Sequence, residues 1–425
     1  MINKPILSRT GLNSHQIKAL QVALDQKRRG EVIDVPAGKS YGAELEVLVK
    51  VGEDMTKRFT RDFQAESWPV HFVLLDSKIS NAYAYWMASF EVICMTTTLA
   101  REIDELCDDV ARYLVNHAGN VSGFSYLRDI ELTIEVKSAS LKGLLVQGVM
   151  AFFVGHEAGH LLAGHKPVAL AAAAGAGGDH QGEKDPEFEF FVDDFIAEVA
   201  SKNEDAGVHS LRLNAHEIDA DVQGFSLTAR FWLELQEVTQ SGVKWPAEAA
   251  LLPAVSSKPD RLLLLASTGA AIAMSLMGFK QFKGDWNKQE THPLTAVRCV
   301  VGLAVLANRL ADRPQERLTL QLQGECIEAL SLVHSRLASI LLMAAKADGE
   351  YSQVAQMLKD KPEDQQLGVM FHATGVAQAV ALSNDVVKFL AELLREFKAC
   401  APERAKAIRV PQEMLVEWSA VVFTP

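Results

Sequence analysis

Short apolar runs and longer helical stripes alternate along the chain. Residues 15–28 carry a helical pattern that Ser14 is placed to cap, and Val35-Pro36-Ala37-Gly38 breaks it. A second helix with mixed charges is expected over 43–64. The apolar runs 70–75, between Pro69 and Asp76, and 91–95 read as strands. Thr96 or Thr97 is placed to cap a helix through Leu99, Ile103, Leu106, Val110 and Leu114. Residues 127–136 alternate apolar and polar, the pattern of another strand. The region 138–165 then predicts a helix, apolar from Leu144 to Gly155. Further helices are expected over 216–230 and 262–279, the latter the most apolar run of all, followed by a polar loop at 280–288. Helical patterns continue at 292–310, 318–346, 351–359, 375–398 and near Met414, with no internal repeat. The fold class is α+β, mostly helical with a small sheet. The expected organisation is a peripheral segment (1–44), a central domain (45–310) and a helical C-terminal region (311–425).

A chain of 425 residues is long enough to bury a sizeable core. Its net charge of −12 gives no basic footprint for nucleic acid. The five cysteines are odd in number, widely spaced and lack a CxxC, which argues for a reducing compartment rather than a disulfide framework. The start, MINKPILSRTGLNSHQIKAL, has no apolar signal-peptide core, so a cytoplasmic location is expected.

The chemistry sits in the apolar helix. His156-Glu157-Ala158-Gly159-His160 is an HExxH motif. Side chains four apart on a helix share a face, about 5–6 Å apart at Cβ, so both imidazoles can hold one zinc ion. Glu157 between them is placed to take a proton from water activated by that ion. Chance occurrence on a buried helix is the alternative; small Gly159, which lets another element approach, weighs against it.

Catalytic zinc usually has a third protein ligand. The spacing HExxHxxGxxH would place one at position 166, where Lys stands. His165, carried on along a continuous helix, would turn about 140° away from His160, which leaves it as a cap or a supporting residue. Glu217 in His216-Glu217-Ile218-Asp219-Ala220-Asp221 is the stronger candidate, with His216 as the alternative. Asp221 shares its face and can hold a ligand histidine from behind, whereas Asp219 reads as part of a solvated face. His292, before Pro293, is placed to steady an oxyanion, and Arg298 to pair with Asp221 or with substrate.

Together these residues resemble the gluzincin family that holds the CAAX prenyl proteases and the HtpX-type and OMA-type quality-control proteases. The family's HExxH with a further His five residues on is matched by HEAGHLLAGH. Its Glu-x-x-Ala-Asp helix is matched by Glu217 to Asp221, and its His-Pro-x-x-x-x-Arg by His292, Pro293 and Arg298. Upstream, an Asn-Ala-aromatic-Ala turn between two strands is matched by Asn81-Ala82-Tyr83-Ala84. The resemblance implies a zincin-like fold, one Zn2+ held by His156, His160 and Glu217, Glu157 as base, and a protein or peptide substrate. It also implies that the region of Asn81, Ala82 and Tyr83, with the strand 91–95, forms the edge that pairs with extended substrate. Phage-exclusion peptidases of the Lit type, which also carry HExxH, are a more distant likeness.

Two stretches fall outside the pattern. The segment 166–205 is Ala/Gly-rich and then acidic, with the aromatic insert Phe188-Glu189-Phe190-Phe191; a surface helix is expected there in preference to a lid or docking segment. The run 262–279 is just long enough to span a bilayer. A single crossing would put Glu217 and His292 on opposite sides, so a buried core helix is expected in preference to a membrane-associated protease. A non-hydrolytic protein with a metal-stabilised fold is the rival class; such sites favour closed, Cys-rich ligand sets, and no cysteine lies near the motif in sequence.

Overall fold

The computed structural model describes residues 8–61, 69–87, 89–119, 124–165, 190–191, 206–240 and 249–282, with scattered positions at 298–309 and 392–415. Helix α1 (Ser14–Lys27) is capped one residue earlier than its sequence suggests. Asn13 accepts the amides of His15 and Gln16, and the Gln16 side chain returns a bond to the Asn13 amide, a complete capping box. Strand β1 (Glu31–Val32) and helix α2 (Ala43–Thr60) follow.

The sheet has β2 (Val70–Asp76), β3 (Ala82–Trp86), β4 (Glu91–Thr96) and β5 (Phe190–Phe191) in the order β1-β2-β4-β3-β5. β2 runs parallel to β4, while β3 is antiparallel to β4 and to β5. Alternate residues divide between two cores. Phe72, Leu74, Ala84, Trp86, Ile93 and Met95 join the main one. Val73, Leu75, Tyr83, Tyr85, Val92 and Cys94 join a smaller one with Leu20 and Leu24 of α1. Burial on both faces explains why the middles of these strands are continuously apolar rather than alternating.

Residues 82–86 are therefore a strand, where the family resemblance implies a turn at 81–84. The aromatic pair Phe190–Phe191 is also a strand rather than a surface helix. The alternation at 127–136 is no strand. A 3-10 turn, Ser125–Leu127, leads to helix α4 (Ile134–Leu162), whose N-cap Thr133 accepts the Val136 amide. A hydroxyl cap with an acid in the first turn favours helix over the weak alternation.

Helix α3 (Thr97–Asn116) starts at the Thr96 hydroxyl, which accepts the Leu99 amide and bonds the Asn81 backbone. Helix α4 is the spine of the molecule. It packs against α2, α3, α5 (Ala206–Gln240) and α7 (Pro259–Phe282); α6 (Leu252–Ser256) links the last two. By length and apolarity α4 is the one described helix able to cross a membrane, but 72% of its most apolar window is buried inside the protein. Leu262 to Leu265, Ile272 and Met274 of α7 are buried in the main core too.

Cys94, Cys107 and Cys400 are buried free thiols. In the C-terminal region, Leu394, Phe397, Ile408 and Leu415 pack on the main core beside α8 (Ala401–Ala405). The helices expected at 318–346 and 351–359, the loop at 283–288 and most of 166–205 lie outside the described residues.

Candidate metal centre

The close approach of α4 and α5 makes the site. A Cβ at Gly224 would meet the His156 amide nitrogen at 2.8 Å, and one at Gly159 would meet the Ala220 carbonyl oxygen at 2.9 Å. Only hydrogen fits at these crossings, so the backbones nearly touch and side chains from the two helices can converge beside them. Gly224→Ala should push the helices apart, costing about 1–3 kcal/mol of stability and weakening metal retention together. Denaturation curves with parallel metal analysis check both.

At that crossing, His156 and His160 of α4 meet Glu217 of α5, all buried. The two Nε2 atoms lie 3.2 Å apart. Glu217 Oε2 is 3.5 Å from His156 Nε2, and Oε1 is 3.5 Å from His160 Nε2. Tetrahedral zinc with bonds of about 2.0–2.1 Å needs ligand atoms roughly 3.3–3.4 Å apart. The two carboxylate edges run to different oxygens of Glu217; with one ligand atom taken from each residue, the three lie within 4.8 Å of one another and could hold a metal ion.

The surroundings favour positive charge. Glu157, Glu217, Asp219 and Asp221 are all buried, and Arg298 is the guanidinium set among them. Arg298 grips Asp221 through two bonds, 2.6 and 2.7 Å, and lies 4.0 Å from Glu217. Asp221 Oδ1 in turn lies 2.9 Å from His156 Nδ1. Burial opposes charge on His156, but the Asp221 and Glu217 carboxylates outweigh it and raise its pKa to about 10. Burial likewise opposes charge on Asp221, and Arg298 outweighs it, holding that carboxyl below its ordinary value.

A cation must therefore displace a proton from His156 at neutral pH. Since the raised pKa is about 10, apparent metal affinity should rise with pH by up to tenfold per unit between about pH 6.5 and about pH 8.5. Chelator competition across that range measures the slope. Stability of the metal-free protein should move the opposite way. The His156 contribution is full below 6.5 and is lost as pH rises through about 10.

The remaining residues fall in different places. Glu157 is buried on α4, and its charge adds to burial in pushing the Cys94 thiol on β4 upward. His292 lies outside the described residues. His216 does not join the cluster; its ring stands edge-on to His165 at 4.8 Å and tilts against Phe397 at 5.7 Å. His165 is not turned away. Helix α4 ends at Leu162, and Gly164, at φ 72°, reverses the chain. His165 Nδ1 then lies 2.9 Å from His160 Nδ1, and its Nε2 is 2.9 Å from Asp219 Oδ2. Asp219 is 1% exposed, so it is no solvated face.

The expected substrate edge needs correction. β4 is interior, between β2 and β3, because its residues are apolar and buried on both faces. The strand beyond it is β3, where Tyr85 and Trp86 already pair with β5. Asn81 is tied through its backbone to Thr96, and Ala82 pairs with Met95. The Tyr83 ring belongs to the smaller core, under the Arg29 guanidinium at 4.4 Å. Only its backbone faces along the sheet.

No family model matches the chain, and no curated protein or solved structure matches it either.

Proposed function

We propose that this chain is a zinc-dependent endopeptidase of the zincin type, with His156, His160 and Glu217 as metal ligands and Glu157 as general base. The observation that carries the reading is the buried group of two imidazoles and a carboxylate, whose ligand atoms lie within 4.8 Å of one another, with a carboxylic acid directly after the first histidine. A structural site has no use for that acid; a hydrolytic one needs it.

A bound zinc ion would supply Lewis acidity and lower the pKa of water to about 7. Glu157 takes the proton of the attacking water and delivers it to the leaving amine. Asp221, braced by Arg298, holds the His156 ring from behind. An extended peptide would lie along β3, pairing through main-chain groups. Because β5 holds the Tyr85–Trp86 end of that strand, substrate would pair beside it or displace it. The described residues of the proposed centre come from core helices, and the proposed location is cytoplasmic, in line with the free thiols.

The test is metal analysis of the purified full chain, with digestion of a casein-like protein by wild type and by Glu157→Gln. One zinc per chain, with cleavage lost only in the variant, is expected. Absence of bound zinc would overturn the reading.

A further inference from the structure

We infer that His165 and Asp219 are positioning residues that hold His160 in the one tautomer able to bind metal. The inference rests on the metal centre proposed above.

The tautomers follow from donor and acceptor rules, one step at a time. Asp219 is an acceptor, so His165 Nε2, at 2.9 Å from Oδ2, carries hydrogen. A neutral His165 then has a bare Nδ1. That atom lies 2.9 Å from His160 Nδ1, so the His160 nitrogen donates. A neutral His160 with hydrogen on Nδ1 is bare at Nε2, the atom that faces His156 and Glu217. The chain is anchored beyond Asp219 by Gln223, whose Nε2 donates to Oδ1 at 3.3 Å. His165, Asp219 and Gln223 are all buried, so water does not compete for these bonds.

The relay also answers a geometric problem. Helix α5 carries Glu217, Asp219 and Asp221 at alternate positions. Glu217 and Asp221 share a face; Asp219, two positions from each, does not. It cannot reach the ligand rings directly, and the His165 ring bridges the gap. The positive φ at Gly164 puts His165 there, and the edge-on His216 ring fixes its tilt. Each ligand histidine is thus backed from α5, His156 by Asp221 and His160 by Asp219 through an imidazole.

The experiment measures zinc affinity by chelator competition in the full chain for wild type, His165→Phe, His165→Asn and Asp219→Asn. Partners behind a ligand typically contribute about 10–100-fold in affinity. His165→Phe keeps a ring and removes the acceptor, so it should lose an amount in that range. His165→Asn places a carbonyl oxygen near the former Nδ1 and should recover most of it. A ring that served only as packing would give the reverse order, since Phe fills the space better than Asn. Histidine-selective nitrogen NMR of the metal-free protein should show His160 protonated at Nδ1 in wild type and moving toward Nε2 in His165→Phe. If His165→Phe does not fold, Asp219→Asn carries the test. With Gln223 still donating to the oxygen, the new NH2 group faces His165 Nε2 and should reverse the relay, moving the His160 hydrogen toward Nε2. An unchanged His160 signal in that variant overturns the inference. Wild-type affinity in His165→Phe, or a His160 ring with hydrogen on Nε2 in the wild type, overturns the inference. A wild type that binds no zinc but keeps the Nδ1–H tautomer overturns the metal-centre reading instead.

Discussion

Glu157→Gln should keep its zinc and lose about 10²–10⁴-fold in peptide hydrolysis, the range that general acid–base catalysis contributes. The amide is nearly the size of the carboxyl, so helix α4 and the rings of His156 and His160 have no reason to move. It cannot accept a proton near neutral pH, so the water loses its base and the amine its acid. Elemental analysis should give wild-type metal content, while the rate on an unfolded casein-like protein falls. Comparison of cellular proteins cleaved by the two forms would also reveal the physiological substrate. A variant that cleaved at the wild-type rate would remove Glu157 from the mechanism, and with it the strongest reason for reading an enzyme here.

How far the sequence alone leads depends on which interactions are local. The histidines four apart, the capped start of α3 and the apolar runs of β2 and β4 are set by neighbours in the chain, and they are legible there. Glu217 and Asp221 are legible as a pair for the same reason, although only the α4–α5 crossing brings them to the histidines. Misreadings come where distant contacts decide. Asp219 looks solvated until α4 and the returning His165 cover it. The helical projection of His165 fails because Gly164 ends the geometry on which the projection depends. The turn at 81–84 is implied by the family resemblance alone; Tyr83, Tyr85 and Trp86 favour a strand, and pairing with β4 fixes it. Two signals were available for the relay: a glycine one residue before His165, and Gln223 one turn after Asp219.

Glu217→Ala tests the other half of the site and should behave differently from Glu157→Gln. It removes one of three donors, so the ion loses both a bond and a charge. Losing a group behind a ligand costs about 10–100-fold, so losing the ligand itself should cost more than about 100-fold in zinc affinity. By mass action, a 100-fold loss under saturating metal lowers metal-linked stability by about 2.7 kcal/mol. The zinc-dependent rise in melting temperature should thus shrink in this variant by the equivalent of that loss or more, while Glu157→Gln keeps the full rise. Glu217 is also one of the two carboxylates that raise His156, so its removal should let that pKa fall and flatten the pH dependence of the metal-free protein. His216→Ala supplies the contrast. Its ring lies against His165 and Phe397 rather than in the triangle, so zinc should be retained. Unchanged zinc in Glu217→Ala, with loss in His216→Ala, would hand the third position to the neighbouring histidine and require α5 to turn by about 100° from the arrangement seen here.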